Sequence, residues 1–227
     1  MTQPDASEAV TRGMRALLAR RDADLGAGAQ SVGWKIGFNT PAIQEHFGLA
    51  QPVVGYLTDA GLTADGATVP LAGWAAPAVE VEVAIRVGPD LGVAGLAPAL
   101  ELVDLGMPFH DIEVVLAGNI CQRGVVFGAE VPGVDPWAVV ATVTSAANEG
   151  GATDDVGGDR VLAEGRLSED PAATTEFVRS YLASHGAQLA EGDRIIAGSL
   201  VAPLSVAAGD ALDVHFGPLG RLRIAFS

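Results

Sequence analysis

The chain is poor in the residues that build disulfides and metal–thiolate sites. Its 227 residues include a single cysteine, Cys121. One thiol excludes an intrachain disulfide and a cysteine metal cluster, and such a cysteine is ordinarily a small packing residue. The four histidines also lack the spacing of metal ligands. The sequence therefore does not predict a zinc site of the usual kind.

Basic residues are scarce as well. The chain has 13 basic against 28 acidic residues, which gives a formal net charge of −15. Nucleic acids and anionic membranes bind basic patches, so neither is expected as a partner. No stretch approaches the roughly 20 apolar residues of a membrane span, and residues 1–5 lack a basic, then apolar, leader pattern. These absences predict a cytoplasmic protein, while a small anionic substrate would need only a local positive charge.

Several catalytic motifs are missing too. The chain has no glycine-rich phosphate loop, no dinucleotide fingerprint and no Gly-x-Ser-x-Gly nucleophile elbow. Apolar residues nevertheless make up 49% of the sequence, which is typical of a globular protein with a substantial core. A divalent cation held by carboxylates is the chemistry that these absences leave best supported.

Residues 79–87 alternate apolar and polar side chains without a break. On a strand, Glu80 and Glu82 then point to the same face, roughly 7 Å apart along the strand. Such a face is either an ordinary solvated surface or a pair of oxygen ligands for a divalent cation. A third carboxylate, Glu101, stands inside the apolar segment 99–104, where burial is costly unless something pairs with it.

Lysine is almost absent. The chain has twelve arginines but one lysine, Lys35, in the sequence Gly-Trp-Lys-Ile-Gly at 33–37. A lone lysine in an apolar, glycine-flanked strand indicates a task that needs a compact amine with an adjustable pKa. The alternative is a surface lysine whose stem packs against Trp34.

The remaining pattern predicts an α+β fold without regular βαβ alternation. Asp111 is a predicted cap for a short helix, and Thr40 for another that begins at Pro41. We expect one catalytic domain over residues 1–227, with residues 1–30 forming a helical segment packed on it. Long helices are expected at 7–24 and 171–185, strands at 31–37, 121–128, 137–144, 159–167, 193–197, 211–216 and 222–226, and turns at 148–151 and 157–158.

The ordered series of motifs resembles one known family. The series begins with four motifs: Gly-Trp-Lys-Ile-Gly at 33–37, Gln-Pro at 51–52, Glu-Val-Glu at 80–82 and Leu-Glu-Leu-Val-Asp at 100–104. Gly-Asp at 192–193, Gly-Ser-Leu at 198–200 and Phe-Gly-Pro-Leu-Gly at 216–220 complete it. From residue 31 onward the chain resembles the fumarylacetoacetate hydrolase superfamily, in its 2-keto-4-pentenoate hydratase and 4-oxalocrotonate decarboxylase branch.

The resemblance implies a mixed β-roll or sandwich of the superfamily's C-terminal-domain type with a helical N-terminal part. It also implies Mg²⁺ or Mn²⁺ held by Glu80, Glu82 and Glu101, with Lys35 as general acid/base. The substrate would be a small anionic 2-hydroxy-2,4-dienoate or 2-oxo-enoate, handled through a metal-bound enolate and hydrated. Burial and the metal would lower the pKa of Lys35. Asn119 and Ser199 are candidate substrate-binding residues, and members of the family usually form homo-oligomers.

The chain departs from the usual hydratase pattern at two places. Val53 stands where an aspartate is usual, and Ala-Gly-Asn-Ile-Cys at 117–121 replaces Ala-Asp-Asn-Ala-Ser. Hydration, decarboxylation of a vinylogous 2-oxo acid and C–C hydrolysis of an acylpyruvate would share the same metal-bound enolate, so all three activities stay open. A catalytically weak subunit that only binds metal is the alternative from another class; Val53 and Ile120 favour it, and Lys35 argues against it.

Overall fold

The computed structural model describes residues 6–107, 109–145 and 160–227. Its α-helices are α1 (Ala6–Gly26), α2 (Pro41–Phe47), α3 (Ile112–Ala117) and α4 (Pro171–Ser184). Its strands are β1 (Ser31–Gly37), β2 (Val53–Thr58), β3 (Leu62–Thr63), β4 (Thr68–Val69), β5 (Pro77–Val87), β6 (Val93–Asp104), β7 (Gln122–Phe127), β8 (Val140–Ser145), β9 (Arg160–Arg166), β10 (Arg194–Ile196), β11 (Leu204–Ser205), β12 (Ala211–His215) and β13 (Arg221–Phe226).

The strands form two mixed sheets. The larger sheet has eight strands. Seven follow the order β2-β1-β10-β5-β6-β7-β3, and the eighth, β11, pairs with β5. The smaller has five strands in the order β4-β13-β12-β8-β9. Strands distant in sequence are neighbours, since β1 lies parallel to β10 and the long antiparallel hairpin β5–β6 forms the centre of the larger sheet. The expected α+β architecture with few helices is confirmed.

Both faces of the central strand β5 are covered. Val79, Val81, Val83 and Ile85 face the main core and are fully buried. The opposite face carries Glu82 and Ala84, which are buried, and Glu80, which is half-buried. An acidic strand face enclosed in this way needs counter-charges or protons, which makes it the part of the fold to inspect for a site.

The helices cover the sheets from outside. Helix α1 packs on α3 so closely that a side chain at Gly13 would lie 2.8 Å from Leu116, and Arg12 pairs with Glu113 at 2.7 Å. Asp111 caps α3 as predicted, accepting hydrogen bonds from the backbone N–H groups of Glu113 and Val114. The N-terminal helix α1 therefore lies against α3, the helix between β6 and β7 in the chain.

Most element boundaries follow the sequence pattern, because alternation and capping residues are local signals. The strand expected from Trp137 is different: Pro136–Ala138 form a 3₁₀ turn capped by Asp135, and the strand begins at Val140. The turns expected at 148–151 and 157–158 lie outside the described residues. Within the described ranges, no helix is both long and apolar enough to cross a membrane.

Candidate active site

Three carboxylates meet on the enclosed face of β5 and β6. The antiparallel register places Glu80 directly opposite Glu101, and Glu82 follows two residues along on the same face. One carboxylate oxygen from each of the three residues lies within 4.8 Å of the others. This spacing is compatible with three oxygens around one divalent cation.

Two of these acids are completely buried. Glu82 and Glu101 each have no exposed surface, whereas Glu80 is half-buried. Glu82 Oε2 accepts a hydrogen bond of 2.7 Å from the backbone N–H of Gly198. Glu82 Oε1 and Glu101 Oε2 are buried without a hydrogen-bond donor among the described residues. A cation or a shared proton must lie between such oxygens, so the donor set fits a hard divalent ion.

The electrostatics of the two buried acids agree with that requirement. Burial, followed by the charges of Glu101 and Glu80, raises the pKa of Glu82 well above its ordinary value. Burial also raises the pKa of Glu101, although Lys35 opposes the shift. The fold thus holds both carboxylates where a full negative charge is unfavourable unless a cation is present.

The lone lysine reaches the same cluster from β1. Lys35 is 1% exposed, and its ammonium donates hydrogen bonds to Glu101 Oε1 and, at 3.1 Å, to the carbonyl of Ile120. An ammonium has three N–H donors. Two are used by these partners, and the third has no acceptor among the described residues. Lys35 also lines the cavity described below.

Burial lowers the pKa of Lys35, but Glu101, Glu80 and Glu82 together outweigh burial and raise it above its ordinary value. The protein groups alone therefore keep Lys35 as an ammonium at neutral pH. The resemblance implied a lowered pKa for Lys35, caused by burial and a bound cation together. Without a cation, the three carboxylates raise the pKa instead.

The glycine and tryptophan beside Lys35 fix strand β1 in place. Gly33 has a φ of +147°, and a Cβ there would lie 1.9 Å from the carbonyl oxygen of Arg194 on β10. Only glycine permits so close an approach of the two strands. Trp34 Nε1 donates a 3.0 Å hydrogen bond to the buried Asp193, immediately before β10. These contacts set the position of Lys35 relative to β5.

Ile120, whose carbonyl accepts a hydrogen bond from Lys35, lies in a left-handed turn. Asn119, Ile120 and Cys121 have φ values of 54°, 52° and 65°, a conformation that side chains with a Cβ rarely adopt. The Asn119 amide stabilises the turn, because it accepts from the backbone N–H of Tyr56 at 3.0 Å and donates to its carbonyl at 2.9 Å. Asn119 thus binds strand β2, and its amide is not part of the cavity lining.

Ser199 lies in the segment that follows β10 along β5. Its hydroxyl accepts a 3.1 Å hydrogen bond from the backbone N–H of Val81, and the N–H of Leu200 bonds to the Val81 carbonyl at 2.7 Å. Gly198, with a φ of +99°, turns its N–H toward Glu82. Ser199 lines the cavity and also holds this segment against the carboxylates.

A cavity of about 620 Å³ opens beside the cluster. Lys35, Glu80 and Ser199 are the predicted site residues that line it. The structure adds Asn39 and Thr40 at its rim, where the sequence had indicated only a helix cap for Thr40. Apolar side chains, described below, form most of the remaining wall. Residues from five separate segments thus enclose one space, large enough for a small organic acid.

No family model matches the chain, but individual proteins do. It is 26% identical over 217 residues to a 2-keto-4-pentenoate hydratase of Burkholderia vietnamiensis, covering 88% of this chain and 79% of that protein. It is 24% identical over 214 residues to a 4-oxalocrotonate decarboxylase of Pseudomonas putida, covering 88% and 78%. The chain is a homologue of these lyases.

The fold agrees with this relationship. A 4-oxalocrotonate decarboxylase from Pseudomonas putida G7, described as complexed with magnesium and adipate, superposes with a TM-score of 0.80 at 20% identity. The match covers 98% of this chain and 86% of that one. The resemblance to the hydratase and decarboxylase branch is confirmed, and the chain shares its fold with this decarboxylase.

The two departures from the usual hydratase pattern lie in different places. Val53 is buried in β2 and lines a separate cavity together with Tyr181 and His185, away from the carboxylates. Ile120 and Cys121, in contrast, line the candidate active site itself. Burial raises the pKa of Cys121 to about 11, so this thiol is neutral at physiological pH. Ile120 and the neutral thiol of Cys121 therefore contribute an uncharged part of the cavity wall.

Proposed function

We propose that this chain is a divalent-metal-dependent lyase that hydrates a 2-hydroxy-2,4-dienoate or 2-oxo-enoate. The observation that carries the proposal is the meeting of Glu80, Glu82 and Glu101 with the chain's single lysine at one cavity. The names of its homologues as hydratases and a decarboxylase support the reaction class.

In this proposal Glu80, Glu82 and Glu101 hold Mg²⁺ or Mn²⁺, since carboxylate oxygens are the ligands both ions prefer. When bound, the cation supplies Lewis-acid stabilisation of negative charge that develops on the substrate's 2-oxygen. The buried position of Glu82 and Glu101 excludes water from the back of the site. Gly198 N–H fixes the orientation of the Glu82 carboxylate.

Lys35 acts as the general acid/base. Its ammonium is held by Glu101 and the Ile120 carbonyl, which leaves one N–H to donate a proton from Nζ to the substrate carbon chain. Ser199 and Asn119 are the proposed substrate-binding residues. The contacts favour a direct role for Ser199, which lines the cavity, and a positioning role for Asn119, which holds Tyr56.

The test is turnover of 2-hydroxypenta-2,4-dienoate with Mg²⁺ by wild type and Lys35→Met. We expect hydration by wild type and a loss of about 10²- to 10⁴-fold in kcat for the variant, because it removes the proton donor. Calorimetric titration of Mg²⁺ into both proteins is the control, and binding should persist in the variant.

Other outcomes separate the alternatives. Release of CO₂ from a vinylogous 2-oxo acid would assign decarboxylation, and cleavage of an acylpyruvate would assign C–C hydrolysis. Mg²⁺ binding without any turnover that depends on Lys35 would indicate a metal-binding subunit. Location in the cytoplasm and assembly into a homo-oligomer stay predictions.

A further inference from the structure

The cavity beside the carboxylates has two chemically different ends. Lys35, Glu80 and Ser199 lie at the inner end. Beyond them the wall is made mostly of apolar side chains, and it includes an aromatic group in which Phe38 lies 6.2 Å from Phe109, ring centre to ring centre. The apolar side chains of this wall include Phe38, Ile43, Leu105, Phe109 and Leu200.

Positive charge is confined to the inner end. Among the described residues that line this cavity, Lys35 is the one cation, and its ammonium already binds Glu101. Arg20 and Arg123 line a neighbouring cavity on the other side of Cys121, where Arg123 pairs with Asp104 at 2.8 Å. The outer wall therefore offers no countercharge to an anion.

The charges at the inner end are balanced without a second anion. Three carboxylates, one ammonium and one divalent cation together carry no net charge. A substrate's first carboxylate can bind next to the cation. A second carboxylate, at the far end of the molecule, would meet a mainly apolar wall in which Asn39 and Thr40 offer neutral polar groups but no cation, so its desolvation is costly.

We propose that the substrate is a monocarboxylate: a 2-hydroxydienoate or 2-oxo acid whose distal end is an alkyl or aryl group packed against Phe38, Ile43 and Phe109. This inference rests on the proposed function, because it places the substrate's 2-oxo acid end at the carboxylate cluster. At about 620 Å³ the cavity has room for a tail several carbons longer than the reacting part. Dicarboxylates of the same length are disfavoured by charge, not by size.

The test uses two inert acids of equal length, 2-oxohexanoate and 2-oxohexanedioate, titrated calorimetrically into the Mg²⁺-loaded wild type. We expect the monocarboxylate to bind at least about tenfold more tightly, because only the dicarboxylate must desolvate a charge against the apolar wall. In the series pyruvate, 2-oxobutanoate and 2-oxohexanoate, each added methylene should tighten binding about two- to fourfold. Equal or tighter binding of the dicarboxylate would overturn the inference.

A variant gives the second measurement. Ile43 is half-buried on the short helix α2 and lines the cavity. Ile43→Arg should improve binding of 2-oxohexanedioate and reduce the preference for the monocarboxylate at least about fivefold, since it adds the missing countercharge. Ile43→Met, of similar length without charge, should keep the wild-type preference. An equal loss of preference in both variants would contradict the charge argument.

The failures are distinguishable. If wild type binds no Mg²⁺, the proposed function itself is wrong. If it binds Mg²⁺ but binds neither acid, or shows no preference for the monocarboxylate, the metal site stands and the inference about the tail is wrong.

Discussion

Buried carboxylates occur in two kinds of surroundings in this chain, and the difference separates structure from function. Asp104 is 7% exposed and accepts hydrogen bonds from the backbone N–H groups of Ala75, Ala76 and Gly106 and from the guanidinium of Arg123. Glu82 is fully buried but receives one hydrogen bond, from Gly198, and one of its oxygens receives none.

The pKa values of Asp104 and Glu82 move in opposite directions, because only Asp104 has enough hydrogen-bond donors to stabilise its charge. Hydrogen bonds, the one from Ala76 foremost, lower the pKa of Asp104 to about 2, whereas burial raises that of Glu82. Asp213 resembles Asp104: burial raises its pKa, but Arg221 and Arg223 outweigh burial and lower it. A saturated carboxylate stabilises the fold as it stands, while an unsaturated cluster needs a cation or bound protons to offset its charge.

The largest expected effect is on metal binding. Glu82→Gln keeps the shape of the side chain but removes its charge and an anionic ligand. We expect Mg²⁺ to bind at least about 100-fold more weakly, by analogy with the loss seen when metal-site partners are removed. Calorimetric titration measures this, and Asp104→Asn is the matched control, for which affinity should be unchanged. Equal losses in both variants would remove the distinction between the two groups.

Stability should show the reverse pattern. Asp104→Asn replaces an ionised acceptor of several hydrogen bonds by an amide that places an N–H₂ group against backbone donors. We expect it to lower the free energy of unfolding by about 1–3 kcal/mol. In the metal-free protein Glu82→Gln should change it by less than about 1 kcal/mol, since the carboxylate it replaces is itself held unfavourably. Urea denaturation of both variants measures the difference.

The smallest expected effect is on stability in acid, where the contribution of the ionised Asp104 to the free energy of unfolding should be lost. Its pKa is lowered from 3.8 to about 2 in the folded chain. A lowered pKa means that the unfolded chain binds the proton first. The stabilisation is therefore complete above about pH 4 and is lost as the pH falls toward about 2. The wild type should lose stability more steeply than Asp104→Asn across this interval in thermal denaturation. Parallel curves would show that Asp104 does not contribute.

Much of the site could be predicted from local sequence signals. Alternation along 79–87 placed Glu80 and Glu82 on one face, and the structure agrees because side-chain direction on a strand has a strict period of two. The contrast of one lysine with twelve arginines singled out Lys35. Both observations depend on residue order alone.

Other parts of the site could not be read from the sequence. The pairing of Lys35 with Glu101 joins residues 66 positions apart and depends on the strand order around β10. The roles of Asp193, which holds Trp34, and of the Ile120 carbonyl were missed because neither residue has a local signature for the contact it makes. The 3₁₀ turn at Pro136–Ala138 was missed because the apolar pattern there fits a strand as well.

Residue order alone singled out the candidate residues of the site: three carboxylates at fixed strand positions and one lysine among arginines. The tertiary structure decided that these groups share a single enclosed space, and that Glu82 and Glu101 are buried with oxygens that lack donors. It also decided that the outer wall of the cavity is apolar. The reason is physical, because burial and desolvation arise from strands and loops brought together from distant parts of the chain, and no local pattern encodes them.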